Sequence, residues 1–170
     1  MKKVFALRAA ISFAVSVFIT FNQDHSAATG LLALAIFGIG YAVLNAVGSQ
    51  IFGKGIFSIE NLPLTLAAVI VGIAALLVPT SEPQAAGLVF IYLVTGWGLI
   101  AGAFELYLAR RSGFATRFGK DSLLNAGLSL LLGLLFLVAP LDIVSAVGFF
   151  GAYLALSAVH LGISAGTPSK

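Results

Sequence analysis

The chain has 170 residues, of which 60% are apolar and only 9% charged, and its mean hydropathy is +1.10. A soluble domain of this size has too little interior to hide that much apolar surface, so the solvent must be the bilayer. The net charge of +3 needs no nucleic-acid partner, because one asymmetric arrangement of loops accounts for it, and the absence of cysteine excludes disulfides, thiol catalysis, iron–sulfur clusters and Cys-linked haem.

A spanning helix needs about 20 mainly apolar residues. Six stretches are predicted in chain order: Val4–Phe21, Ala28–Val47, Leu62–Leu77, Ala85–Leu108, Ser122–Val138 and Ile143–Ile163. They are rich in Leu, Ala and Gly and lack the period-2 pattern of an outer-membrane barrel. In hydrocarbon that leaves helices as the structure that satisfies every backbone group. The expected fold is an all-α integral membrane protein, one transmembrane domain over residues 1–170, with hairpins at about 4–48, 62–109 and 122–164.

The links between these stretches alternate in charge. Asn22–Ala27, Val78–Gln84 and Ala139–Asp142 hold Asp24, Glu82 and Asp142 but neither Lys nor Arg. Lys2, Lys3, Arg8, Lys54, Arg110, Arg111, Arg117, Lys120 and Lys170 all fall toward the other side. Positive charge resists translocation, so the basic side is expected to be cytoplasmic, with both termini inside. The start of the chain also admits a rival reading as a secretory signal peptide ending near Ser26-Ala27-Ala28, against which Arg8 interrupts the apolar run.

The chain matches itself when shifted by 61 positions: Gly72 meets Gly133, Pro79 meets Pro140, Gly87 meets Gly148, and Tyr92-Leu93 meets Tyr153-Leu154. Each unit is a helix, an outer turn opened by Pro, and a second helix. The first third fits the plan more weakly, with Gly38 and Gly40 placed opposite Gly96 and Gly98. Three hairpins that all begin and end inside are parallel repeats about an axis along the membrane normal. Gly98 and Gly102, and the small residues Gly148, Gly151 and Ala152, are expected at close helix contacts. Trp97 and Tyr153 sit near mid-span, where a buried indole N–H needs an acceptor.

Few residues offer chemistry. Glu105 is a carboxylate inside the fourth stretch, which calls for a partner or a pathway, and Arg8 and Arg110 are the cations within reach. Asn45 and His160 lie at similar depth, so Asn45, Glu105 and His160 form a candidate polar inner vestibule; the plainer reading is that each caps a helix end. Asp24 and His25 form a candidate outer pH-sensing pair, against the plainer reading of a solvated loop. Arg110, Arg111, Arg117 and Lys120 are interleaved with Phe114 and Phe118 and are expected to contact anionic lipid headgroups. The segment from Ser49 to Asn61, with Ile51, Phe52, Ile56, Phe57 and Ile59, is expected to lie on the membrane surface. His25 and His160 fall on opposite sides, so no metal site is expected, and no catalytic residue or cofactor is assigned.

Two segments carry a family resemblance. Leu130 to Pro140 with Gly148 and Tyr153, and Val71-Gly72-Ile73 through Pro79 with Gly98 to Glu105 and Arg110-Arg111, resemble the short membrane repeat of the HdeD-type acid-resistance family. The resemblance runs from about Leu62 to Gly166, while the first hairpin has Asn22 where a Pro is expected. It implies a non-enzymatic protein of the bacterial inner membrane linked to acid or envelope stress, with no catalytic residues. The alternatives are a small oligomeric transporter or channel using the vestibule, and a membrane scaffold subunit. The expected partners are the bilayer, anionic lipids and further copies of the chain.

Overall fold

The structure is a computed structural model that describes residues 2–52 and 61–167. Lys54, Ile56, Phe57 and Ile59 of the expected surface segment, and Lys170, lie outside the described residues. Among those described, the chain forms six α-helices and no strand: α1 (Lys2–Phe21), α2 (Ala27–Phe52), α3 (Leu62–Leu77), α4 (Pro83–Ser112), α5 (Arg117–Val138) and α6 (Ile143–Gly166). Five are long and apolar enough to cross a membrane; α3, with 16 residues, is shorter. The outward faces carry large apolar side chains, among them Ile70, Leu77, Leu131 and Val138, each more than 60% exposed. Such a surface suits lipid and is unsuited to water.

The helices overrun the expected stretches at the basic end. The link expected over Ala109–Asp121 shrinks to Gly113–Thr116. Hydropathy marks where the apolar stretch stops, but a helix can continue into water when its end is satisfied. Arg110 and Arg111 occupy the last turn of α4, where positive charge suits the helix dipole. Gly113 then turns the chain at φ +84°, a conformation that favours glycine. The Thr116 hydroxyl accepts from the Gly119 N–H and starts α5. Thus Arg110, Arg111, Arg117 and Lys120 lie on helix ends, all exposed, and not in a long loop.

Neighbouring helices pack most closely α4 on α5, α1 on α6, and α2 on α3. Two of these contacts are glycine against glycine. A Cβ on Gly38 would fall 2.7 Å from Gly72 Cα, and one on Gly98 would fall 2.6 Å from Gly133 N. Backbones therefore touch, as small residues permit in lipid. The glycine pairing expected for the first hairpin is displaced by this geometry. Gly38 occupies the position that Gly98 holds in α4, whereas nothing lies within 4 Å of a Cβ on Gly96. Of the second small-residue face, Gly151 meets Ile19 and Gly148 meets nothing.

Three of the helices, α1, α3 and α5, bury side chains at one shared spacing. Arg8, Ser12, Val15, Ser16 and Ile19 on α1 match Leu64, Ala68, Val71, Gly72 and Ala75 on α3, and Asn125, Ser129, Leu132, Gly133 and Phe136 on α5. The core between them is aromatic. Phe37 sits edge-on to Trp97 and to Phe150, with centroids 5.2 and 5.8 Å away. Edge-to-face pairs of this kind add about 0.5–1.5 kcal/mol beyond area burial.

Candidate functional site

The buried face of α1 carries one charge. Arg8 is only 2% exposed and spreads its donors over two other helices and the residue before α3. Its Nε donates to Asn45 Oδ1 at 2.8 Å, Nη1 to Glu105 Oε1 at 3.0 Å, and Nη2 to Asn61 Oδ1 at 2.6 Å. The rings of Phe5 and Tyr41 flank the guanidinium at 5.9 and 5.4 Å. Asn45 is completely buried, and its other end donates to Thr65 Oγ1 at 2.7 Å. The Thr65 hydroxyl donates in turn to the Asn61 carbonyl. One network thus ties α1, α2, α3 and α4 together at the end of the bundle nearest the basic residues.

The placement follows helical periodicity. Phe37, Tyr41 and Asn45 step four residues at a time down the core face of α2, as Trp97, Ala101 and Glu105 do on α4. The last residue of each run is polar and meets Arg8. Glu105 and Arg8 form an ion pair with side chains 5% and 2% exposed. In such a place neither charge is tolerable alone, and the pair is neutral together.

One oxygen of Glu105 remains. Its Oε2 has no hydrogen-bond partner among the described residues, and neither has the fully buried Ser122 hydroxyl, a close neighbour of the same carboxylate. Glu105 also lines a small central cavity to which all six helices contribute, with Ser12, Asn125, Ser129, Tyr153 and Ser157 among its polar members. The cavity offers about 20 Å³, room for about one water. From it a chain of hydrogen bonds runs along the core. The Tyr153 hydroxyl shares a hydrogen bond with Ser129 at 3.1 Å and accepts from the Trp97 indole N–H at 3.3 Å. The acceptor demanded by the mid-span indole is therefore Tyr153.

Of the three expected vestibule residues, two converge. His160 stands apart: its Nε2 bonds the Asp121 carbonyl at 3.1 Å, and it lines a groove between α5 and α6. A carbonyl only accepts, so that nitrogen carries the proton. Of the two cations within reach of Glu105, Arg8 takes it and Arg110 stays exposed. Arg8, one of the two cations expected to pair with Glu105, completes the site with Asn61 and Thr65, which were not expected in it. The readable signal was polar residues spaced to share one helix face.

Asp24 and His25 serve the end of α2. The Asp24 carboxylate accepts from the hydroxyls of Ser26 and Thr29, and these bonds hold its pKa below the ordinary 3.8. His25 Nε2 donates to the Ile19 carbonyl at 3.0 Å. Asp142 does similar work at the start of α6, where Ser145 donates to it and likewise lowers its pKa. At the basic end, Arg111 donates to the Tyr107 hydroxyl and Arg117 to the Ser164 carbonyl. Among the described residues no group of three or more His, Asp or Glu side chains is placed to hold a metal. Comparison of the chain with protein-family models, with curated proteins and with solved structures finds no match.

Proposed function

We propose that this chain is a non-enzymatic, multi-pass protein of the bacterial inner membrane, of the HdeD type, that contributes to tolerance of acid or envelope stress. The observation that carries this reading is Glu105, a buried carboxylate with one oxygen on Arg8 and the other, beside Ser122 and a polar cavity, without a hydrogen-bond partner among the described residues. Protonating it removes the counter-charge that Arg8 needs, so proton uptake acts on the contact that joins four helices. The orientation rests on the basic residues gathered at one end, which puts both termini in the cytoplasm. The repeat rests on the spacing shared by α1, α3 and α5 and on the two glycine contacts. At the basic end Arg110, Arg111 and Lys120 face anionic headgroups, and Arg117 faces a lipid phosphate.

The test is survival at low external pH of a deletion strain carrying either the wild type or Glu105→Gln. Survival restored by the wild type alone supports a proton-responsive role for Glu105. Rescue by both leaves the stress role and makes Glu105 structural. Full survival of the deletion strain sinks the stress role. A second reading, a small oligomeric transporter or channel, is favoured by the polar cavity that all six helices line. It calls for a proton or solute flux in proteoliposomes that Glu105→Gln abolishes.

A further inference from the structure

The side of the bundle between α5 and α6 is less tightly closed than its neighbours, because α5 spends its glycine face on α4 and α6 packs chiefly on α1. Two openings lie along that side. One, of about 650 Å³, sits at the end carrying Arg117, and the other, of about 130 Å³, sits farther along the same two helices. Their walls form continuous stripes. On α5 the stripe steps through Arg117, Asp121, Leu124, Leu128, Leu131 and Leu135. On α6 it steps through Ser164, His160, Leu156, Ala152 and Phe149. Steps of three and four residues keep each stripe on one helix face.

The crevice is polar at one end and apolar beyond it. From Leu124 to Leu135 is eleven residues, or about 16 Å of helix. One leaflet of hydrocarbon is about 15 Å deep, half of the roughly 30 Å core. The polar end offers charges of both signs: the Arg117 guanidinium, and the half-buried Asp121 carboxylate, which makes no ion pair among the described residues. His160 turns its proton-bearing nitrogen to the Asp121 carbonyl and leaves that carboxylate to the groove. A purely anionic headgroup would meet Asp121 as a like charge, while a zwitterion bearing a primary amine meets a complement at both its ends.

We infer that the α5–α6 crevice is a binding site for one phospholipid with a zwitterionic, primary-amine headgroup. Its phosphate lies against Arg117, its ammonium against Asp121, and one acyl chain follows the leucine stripe. The inference is independent of the role of Glu105. The same lipid in quaternary-amine form has equal charge and no N–H to donate, so it isolates the Asp121 contact.

The test is native mass spectrometry of the full chain released from detergent micelles containing phosphatidylethanolamine, phosphatidylcholine or phosphatidylglycerol. The expected result is retention of one phosphatidylethanolamine, with about a tenfold preference over phosphatidylcholine, the worth of a charge-assisted hydrogen bond. Asp121→Asn should erase that preference, and Arg117→Ala should weaken both lipids alike. Should Asp121→Asn fail to fold, Leu131→Trp fills the apolar stretch from an exposed position and should release the lipid whatever its headgroup. Equal retention of the two zwitterions by the wild type overturns the inference. So does strongest retention of phosphatidylglycerol, or a bound lipid indifferent to Leu131→Trp.

Discussion

Replacing Arg8 with Met leaves the Glu105 carboxylate buried without its cation and removes three hydrogen bonds, to Asn45, Glu105 and Asn61. Removing one member of a buried ion pair costs about 3–5 kcal/mol, chiefly because the other charge is stranded. For a chain of this size each kcal/mol moves the melting temperature by about 2–4 °C, so Arg8→Met should lower it by about 6–20 °C. Glu105→Gln keeps an oxygen for Nη1 to reach but strands the guanidinium, and should also destabilise, by somewhat less. The double variant Arg8→Met/Glu105→Leu strands nothing and should recover most of the loss, because a well-packed apolar replacement is often neutral for a buried pair. The assay is thermal unfolding of the wild type, Arg8→Met, Glu105→Leu and the double variant in one mild detergent, read as a double-mutant cycle. If the two single losses simply add in the double variant, the pair is not coupled and the four-helix lock is refuted.

Three further outcomes are expected. Gly98→Ala puts a methyl 2.6 Å from the Gly133 nitrogen and 2.7 Å from the Ser129 carbonyl, and should cost about 1–3 kcal/mol in thermal unfolding, whereas Gly96→Ala meets nothing and should be neutral or slightly stabilising. Tyr153→Phe orphans the indole N–H of Trp97, the one tryptophan of the chain, so it should cost about 1–3 kcal/mol and shift the fluorescence emission, while Tyr92→Phe at an exposed site changes neither. The lowered pKa values of Asp24 and Asp142 mean that their caps contribute in full above the ordinary carboxylate pKa of 3.8. That contribution is lost as pH falls from there through the lowered folded values. The stability–pH curve of Asp24→Asn or Asp142→Asn should therefore be flatter than wild type below about pH 4, and unchanged in slope above it.

Composition and hydropathy alone determined that this chain is helical and where the apolar middle of each helix lies. The Leu62 and Leu77 bounds of α3 coincide with the expected stretch, because burying a backbone in hydrocarbon leaves few alternatives to a helix. Glu105 was legible as a residue that needs a cation, since a lone charge in an apolar run is costly wherever it packs. Which cation it takes was not legible. Arg110 is near in sequence and Arg8 falls toward the same membrane side, and only the tertiary packing brings Arg8 to 3.0 Å while α4 carries Arg110 out to the surface. The same holds for His160. Its depth along α6 could be read from the sequence, but its angular position about the helix decides that it faces Asp121 and not Glu105. Helix ends were misjudged where capping extends them into water, since Thr116 and Gly113 act through local geometry that hydropathy does not weigh. Apolar periodicity specifies that a helix forms; rotation about its axis and choice of neighbour depend on contacts such as Gly98 on Gly133, which exist only once the bundle has assembled.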